Sequence, residues 1–272
     1  MSLDRRHVEA IARREVVTVA RTRASWLLTA GIAVVVSGLA VLGGGGASGY
    51  LPVVVDLSMP AEILVPLLAF AFGYRVFLDD RRSGELAVHA IMPPSRASVV
   101  TGVFLGRAVV LAVALALGFL PGFVAGALAG DAGAALYATQ RGADSPLLYL
   151  RFVSLATLYG LSSLALALAV SAAVRSTRAA LAGVFGLGLI LLVGLDLGLF
   201  GAIVSGLVGT ESLPVALALS PNAAFRGLVL TTVVEVATVS SGGLGVVIAN
   251  VASLVAWTGV GLVGAVVTVW DE

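Results

Sequence analysis

The sequence predicts an all-α, polytopic membrane protein with six transmembrane helices, and three observations predict it. Of the 272 residues, 59% are hydrophobic and only 11% charged, with a mean hydropathy of +1.08. A soluble domain carries roughly 25% charged residues; no soluble fold hides this much apolar surface, so lipid is the solvent for most of the chain. Long apolar runs alternate with short polar stretches, and the arginines gather on every second stretch.

The first element, residues 4–24, carries Val8, Ile11, Ala12, Val16, Val19 and Ala20 at helical spacing with Arg5, Arg6, Arg13, Arg14 and Arg21 interleaved. This pattern predicts an amphipathic helix lying in the headgroup region. Trp26–Leu42 is the first span, just long enough to cross, and Gly43–Gly46 ends it. Gly43–Pro60 reads as an outer loop. The second span is expected from Pro60 to about Leu78, kinked at Pro66. A polar inner loop, 79–97, follows. The third span runs from about Ser98 to Ala129, with a break expected at Pro121. Gly130–Pro146 is an outer loop, Leu147–Val174 the fourth span, and Arg175–Arg178 a tight inner turn. The fifth span covers Ala179–Phe200 or a little beyond. Residues 201–243 form the longest outer segment, with two short helix-like stretches, and Leu244–Trp270 is the sixth span.

Arginine placement orients the chain. All sixteen basic residues are Arg. Six lie by position 23, and Arg81, Arg82, Arg96, Arg175 and Arg178 follow on the same side; the opposite loops hold only Arg141 and Arg226. Eleven against two predicts cytoplasmic N and C termini.

Composition also narrows the function. Without Lys there is no ordinary phosphate-binding loop. Without Cys there is no disulfide, thiolate site or redox motif. Two separated His and three scattered Met are too few to predict a metal site, and no catalytic residue is expected, since no hydrolase motif is present. A net charge of +1 gives no case for nucleic acid. The Gly content, 33 residues, suits closely packed membrane helices.

A carboxylate in or near lipid is costly and usually paired, which singles out Asp196 near the outer end of the fifth span. Arg151, at similar depth on the fourth, is its expected partner. The pair either gates the outer side or tethers two helices, and Glu62 at the outer start of the second span can join either arrangement. Arg107 and Arg75 are expected to snorkel to the inner headgroups. The inner loop carries Leu86, Val88, Ile91 and Met92 on a short amphipathic stretch ended by Pro93-Pro94, with Ser95 or Ser98 to cap the next helix. Such a stretch fits a groove on a motor protein, or an ordinary solvated loop.

The Arg-rich lead IARREVVTVARTRASWLL, six spans and an inner loop with Asp80, Gly84, Leu86, Pro93 or Pro94, Arg96 and Gly102 resemble the permease subunits of type-2 ABC exporters. The outer SPNAAFRGL, with Pro221, Asn222 and Arg226, resembles a stretch that precedes the last span in that family. Within it, the arrangement is similar to the permeases that serve nitrous oxide reductase maturation, whose fifth span has an Asp like Asp196. Gly84-Glu85-Leu86 departs from the family's Gly-Thr-Leu, and Arg81-Arg82 follow the acidic pair.

The resemblance implies that residues 1–272 form one transmembrane permease domain in the cell membrane. It implies a homodimer with a second permease copy, two copies of a separate ABC ATPase that holds the ATP and Mg, and coupling through Asp80, Gly84, Glu85, Leu86, Pro93 and Arg96. This chain itself binds no cofactor on that view; its contacts are lipid, the ATPase and an extracytoplasmic protein. The output is export, or movement passed to the outer partner in copper-site maturation. A stand-alone secondary transporter and a membrane scaffold are the alternatives, and co-purification of an ATPase separates them.

Overall fold

The computed structural model describes residues 4–43, 49–82, 95–129, 144–207, 209, 216–235 and 243–270. Helices are the only regular elements among them. Six are long and apolar enough to cross a membrane: Arg23–Leu42, Tyr50–Arg82, Arg96–Leu128, Pro146–Ala173, Thr177–Val204 and Leu244–Thr268.

Helix α1 (Arg5–Arg21) starts after Asp4, whose carboxylate accepts the Arg6 N–H. Its buried side chains are Ile11, Glu15 and Val19, four residues apart on one face. Thr22 separates it from α2 (Arg23–Leu42), the first span. The second span is α3 (Tyr50–Gly73) followed, after a turn at Tyr74 and Arg75, by α4 (Val76–Arg82). It begins ten residues before the expected Pro60. The stretch 50–59 is helical because Leu51, Val53, Val54 and Leu57 are all buried in the core. Asp144 also accepts the N–H groups of Tyr50 and Leu51 at 2.9 and 2.7 Å, satisfying orphan donors at the helix start.

The third span, α5 (Arg96–Leu128), is capped by Ser95, which accepts the Ser98 N–H. It runs unbroken through Pro121, where a break was expected. Its 33 residues rise about 50 Å, well beyond a hydrocarbon core of ~30 Å. The surplus is where α1 packs: Asp4 N–H donates to Ser98 Oγ at 3.2 Å. Gly106 is required there, since a Cβ would stand 2.5 Å from the Ala12 carbonyl oxygen.

The fourth span, α6 (Pro146–Ala173), is the most buried of the six. The fifth comprises α7 (Thr177–Leu189), a π-helical turn at Ile190–Gly194 and α8 (Leu195–Val204), and is the least buried. A short helix, α9 (Pro221–Val229), capped by Ser220 and continued by a second π turn at Leu230–Val234, folds back against the bundle. Its Asn222, Ala224, Phe225, Leu228 and Val229 are buried, so part of the expected outer segment 201–243 belongs to the core. The last span is α10 (Leu244–Thr268), whose backbone meets α6 closely enough that a Cβ on Gly261 would lie 2.5 Å from the Ala165 carbonyl carbon. The core joins residues of α1 to α6, α9 and α10. Within it Tyr159 stacks on Phe225 with centroids 5.0 Å apart. The two ends of the chain meet at one end of the bundle: Asp4 is bonded to Ser98, and Arg96 lies over Trp270.

Candidate functional site

Away from the chain ends, three elements meet in one polar cluster. Glu62 of α3 is 9% exposed and sits two residues past Pro60. Asp196 of α8 follows the first π turn. Arg226 comes from α9, whose N-terminus is set by Ser220 and Pro221. The Arg226 guanidinium grips Glu62 in a fork, Nε to Oε1 at 2.8 Å and Nη2 to Oε2 at 2.7 Å, and reaches Asp196 Oδ2 at 3.4 Å. Asn222 Nδ2 donates to Glu62 Oε2 at 3.2 Å and to Asp196 Oδ2 at 3.4 Å. Ser220 Oγ donates to Asp196 Oδ1 at 2.9 Å, and Tyr159 Oη to Asn222 Oδ1 at 3.4 Å.

The bonds to Glu62, more than any other influence, raise the Arg226 pKa above its ordinary value. One fixed cation therefore faces two carboxylates, and a planar bidentate fork suits that geometry. The cluster is a bracket joining α3, α8 and α9.

Two groups of residues that the sequence kept apart thus form one site: Glu62 and Asp196 on the one hand, Pro221, Asn222 and Arg226 on the other. Arg151 is not part of it. Its guanidinium donates to the Thr232 carbonyl inside the second π turn, where a π turn displaces carbonyls from the regular ladder. Asp196 pairs with Arg226 instead of Arg151.

A second polar group lies at the end that carries the chain termini. Glu15, 3% exposed, accepts from Arg107 Nε at 2.8 Å and Arg14 Nη2 at 3.0 Å. Arg107 also donates to the Phe72 carbonyl, beside the break in the second span. It is held inside the protein and does not snorkel. Arg75 pairs with Asp79 one turn on. Asp80 lies 3.9 Å from Arg14, and Arg96 sits 5.2 Å above the Trp270 ring. Gly84, Glu85, Leu86 and Pro93 lie outside the described residues. Arg81 donates to the carbonyls of Val174 at 2.9 Å, Ala172 at 3.1 Å and Val269 at 3.1 Å. Among the described residues no group of three or more His, Asp or Glu gathers to hold a metal ion.

Sequence reasoning missed Glu15, Tyr159 and Arg81. Glu15 had a signal: it lies four residues from both Ile11 and Val19, on the apolar face of its helix. Arg81 and Tyr159 had none.

The family model described as "ABC-2 family transporter protein" matches residues 9–268. The chain belongs to the ABC-2 transporter family. A protein of Pseudomonas aeruginosa named "Probable ABC transporter permease protein NosY" is 28% identical over 231 residues, 80% of each chain. One of the same name from Stutzerimonas stutzeri is 29% identical over 229 residues, 79% of this chain and 78% of its own. This ABC-2 protein is thus a membrane permease subunit, a multi-pass protein of the cell membrane, and its family implies an ABC ATPase subunit as partner. In this permease, Asp80 and the Glu62 bracket lie on the same span, 18 residues apart, on either side of the turn at Tyr74 and Arg75.

Proposed function

We propose that this permease converts ATP-driven movement of a separate ATPase into movement on the outer side of the membrane. Both termini are cytoplasmic on this view, and α1 lies in the inner headgroup region. Two permeases pair, two ATPase copies bind below, and the ATPases hold the ATP and Mg. Segment 79–97 docks on the ATPase through Asp80, Gly84, Glu85, Leu86, Pro93 and Arg96. Closing the ATPase dimer tilts the second and third spans.

The observation that carries this reading is the placement of Asp80 and Glu62 on one span. Tilt at the Asp80 end is delivered to α9 through the Glu62–Arg226 fork, and α9 faces the outer side. The bracket is the outer lock: it holds α9 against α3 and α8 until the span moves. The likeness to NosY extends the proposal to the maturation of nitrous oxide reductase, with an extracytoplasmic protein receiving the movement for its copper site.

The test is purification in mild detergent from the native host, with mass spectrometry of what accompanies the permease. A Walker-motif ATPase at one per permease is expected. Glu85→Arg, alone and with Asp80→Arg, is expected to cut that recovery about tenfold, the scale of one lost charged contact. Undiminished recovery and ATP-coupled activity in both variants would remove the segment from the mechanism. A permease that elutes alone, with no ATPase binding on mixing, would return it to the secondary-transporter or scaffold class.

A further inference from the structure

The described ends of segment 79–97 carry Arg81 and Arg96, and both are held at the end of the last span. Near its start, the Arg81 fork on α4 donates to the carbonyls of Ala172 and Val174 at the end of α6 and to Val269 at the end of α10. Helix C-termini carry unpaired carbonyls and partial negative charge, so a guanidinium suits this position. Near its end, Arg96, the first residue of α5, lies over the face of Trp270 at 5.2 Å, a cation–π contact. Val269 and Trp270 are consecutive and directly follow α10: one point at its end holds both Arg81 and Arg96.

We propose that α10 is a second transmission rod, clamped to the coupling segment by Arg81 and Arg96 and delivering its movement to α9. Arg81, Arg96 and Trp270 are positioning residues. The rod is stiff, because α10 is an unbroken helix of 25 residues seated on α6 at Gly261. It is also tied at its middle and in its far half. Trp257 Nε1 donates to the Leu219 carbonyl at 3.0 Å, just ahead of the α9 cap. Asn250, 3% exposed, packs under Gly227, where a Cβ would meet its Nδ2 at 2.6 Å. Helix α9 is therefore held from two sides, by α3 through Glu62 and by α10 through Asn250 and Trp257. A displacement of segment 79–97 reaches both rods at once, so α9 is driven as a unit instead of being levered from one edge.

This inference rests on the coupling role proposed for segment 79–97, and the experiment separates the two. The chain has no native Cys, so one introduced thiol carries one fluorophore. Bimane is placed on Arg82→Cys, an exposed position beside the clamp, or on Leu244→Cys, exposed at the far end of α10. The whole complex with its co-purified ATPase is set in nanodiscs, and emission is compared with and without ATP, Mg and vanadate. With the clamp intact, both labels are expected to respond to nucleotide. Trp270→Leu should leave the Arg82→Cys response in place and cut the Leu244→Cys response about threefold or more. Trp270→Phe keeps an aromatic face and should preserve both. Arg81→Lys, which replaces a planar fork by a point charge, should lie between. Equal Leu244→Cys responses in Trp270→Leu and Trp270→Phe would overturn the rod. No nucleotide response at Arg82→Cys in the parent complex would overturn the coupling role itself, and the rod with it.

Discussion

Replacing Arg226 by Met is the sharpest perturbation of the outer bracket. It removes two charge-assisted bonds of 2.8 and 2.7 Å and leaves Glu62, 9% exposed, facing Asp196 without a cation. Bonds of this kind contribute about 1.5–3 kcal/mol each. The Arg226 side chain is 48% exposed, so solvent screening reduces their sum to about 2–3 kcal/mol. Breaking a fully buried pair costs about 3–5 kcal/mol, an upper bound here. A chain of this size loses about 2–4 °C of melting temperature per kcal/mol, so a drop of about 5–10 °C is expected. The assay is intrinsic-fluorescence melting of the detergent-purified permease. Adding Glu62→Gln should recover most of the loss, because the stranded charge is gone, with a coupling energy of about 2 kcal/mol in the cycle. Asp196→Asn should cost about 1 kcal/mol, less than Arg226→Met, since the amide oxygen can still accept from Ser220 but the amide NH2 cannot accept from Asn222 and Arg226. Two results would refute the reasoning. One is an Arg226→Met protein that melts with its Glu62→Gln double variant. The other is a larger loss from Arg151→Met than from Arg226→Met, which would restore the pairing of Arg151 with Asp196.

The inner group yields two further predictions. Arg107→Met strands Glu15, whose side chain is 4% exposed, with Arg14 alone; a loss of about 2–3 kcal/mol is expected, below the full cost of a broken buried pair, and Glu15→Gln should offset it in the same melting assay. Gly106→Leu drives side-chain atoms into the Ala12 carbonyl and the Glu15 side chain, at about 1–3 kcal/mol. It should speed tryptic cleavage after Arg13, Arg14 and Arg21 as α1 lifts off, whereas Gly31→Ala, with nothing within 4 Å, should not; equal cleavage in the two would show that α1 is not seated in that groove.

The six spans were legible because lipid leaves a chain little choice: each crossing must satisfy its own backbone and cover it with apolar side chains. The errors sit where a local signal was outweighed by packing. With Pro60 taken as the start of the second span, 50–59 read as part of an outer loop, yet the buried stripe of Leu51, Val54, Leu57 and Ala61 holds it helical. Pro121 reads as a breaker but sits inside α5, since neighbours in a membrane bundle compensate for the missing bond. Pairing was less legible than depth. Counting residues along a span places Asp196 and Arg151 at one level, but a partner is chosen by rotation about the helix axis, about 100° per residue. A π turn adds one residue to a helix, and Ile190–Gly194 adds it just before Asp196. Everything after that turn is rotated by about 100° from where a regular helix would put it. The carboxylate faces Ser220, Asn222 and Arg226, while a π turn at the other end of α9 presents the Thr232 carbonyl to Arg151. Apolar periodicity carries no mark of either π turn, because lipid accepts an apolar side chain at any rotation; only the charged residues register the shift, and their partners appear only when the helices are assembled.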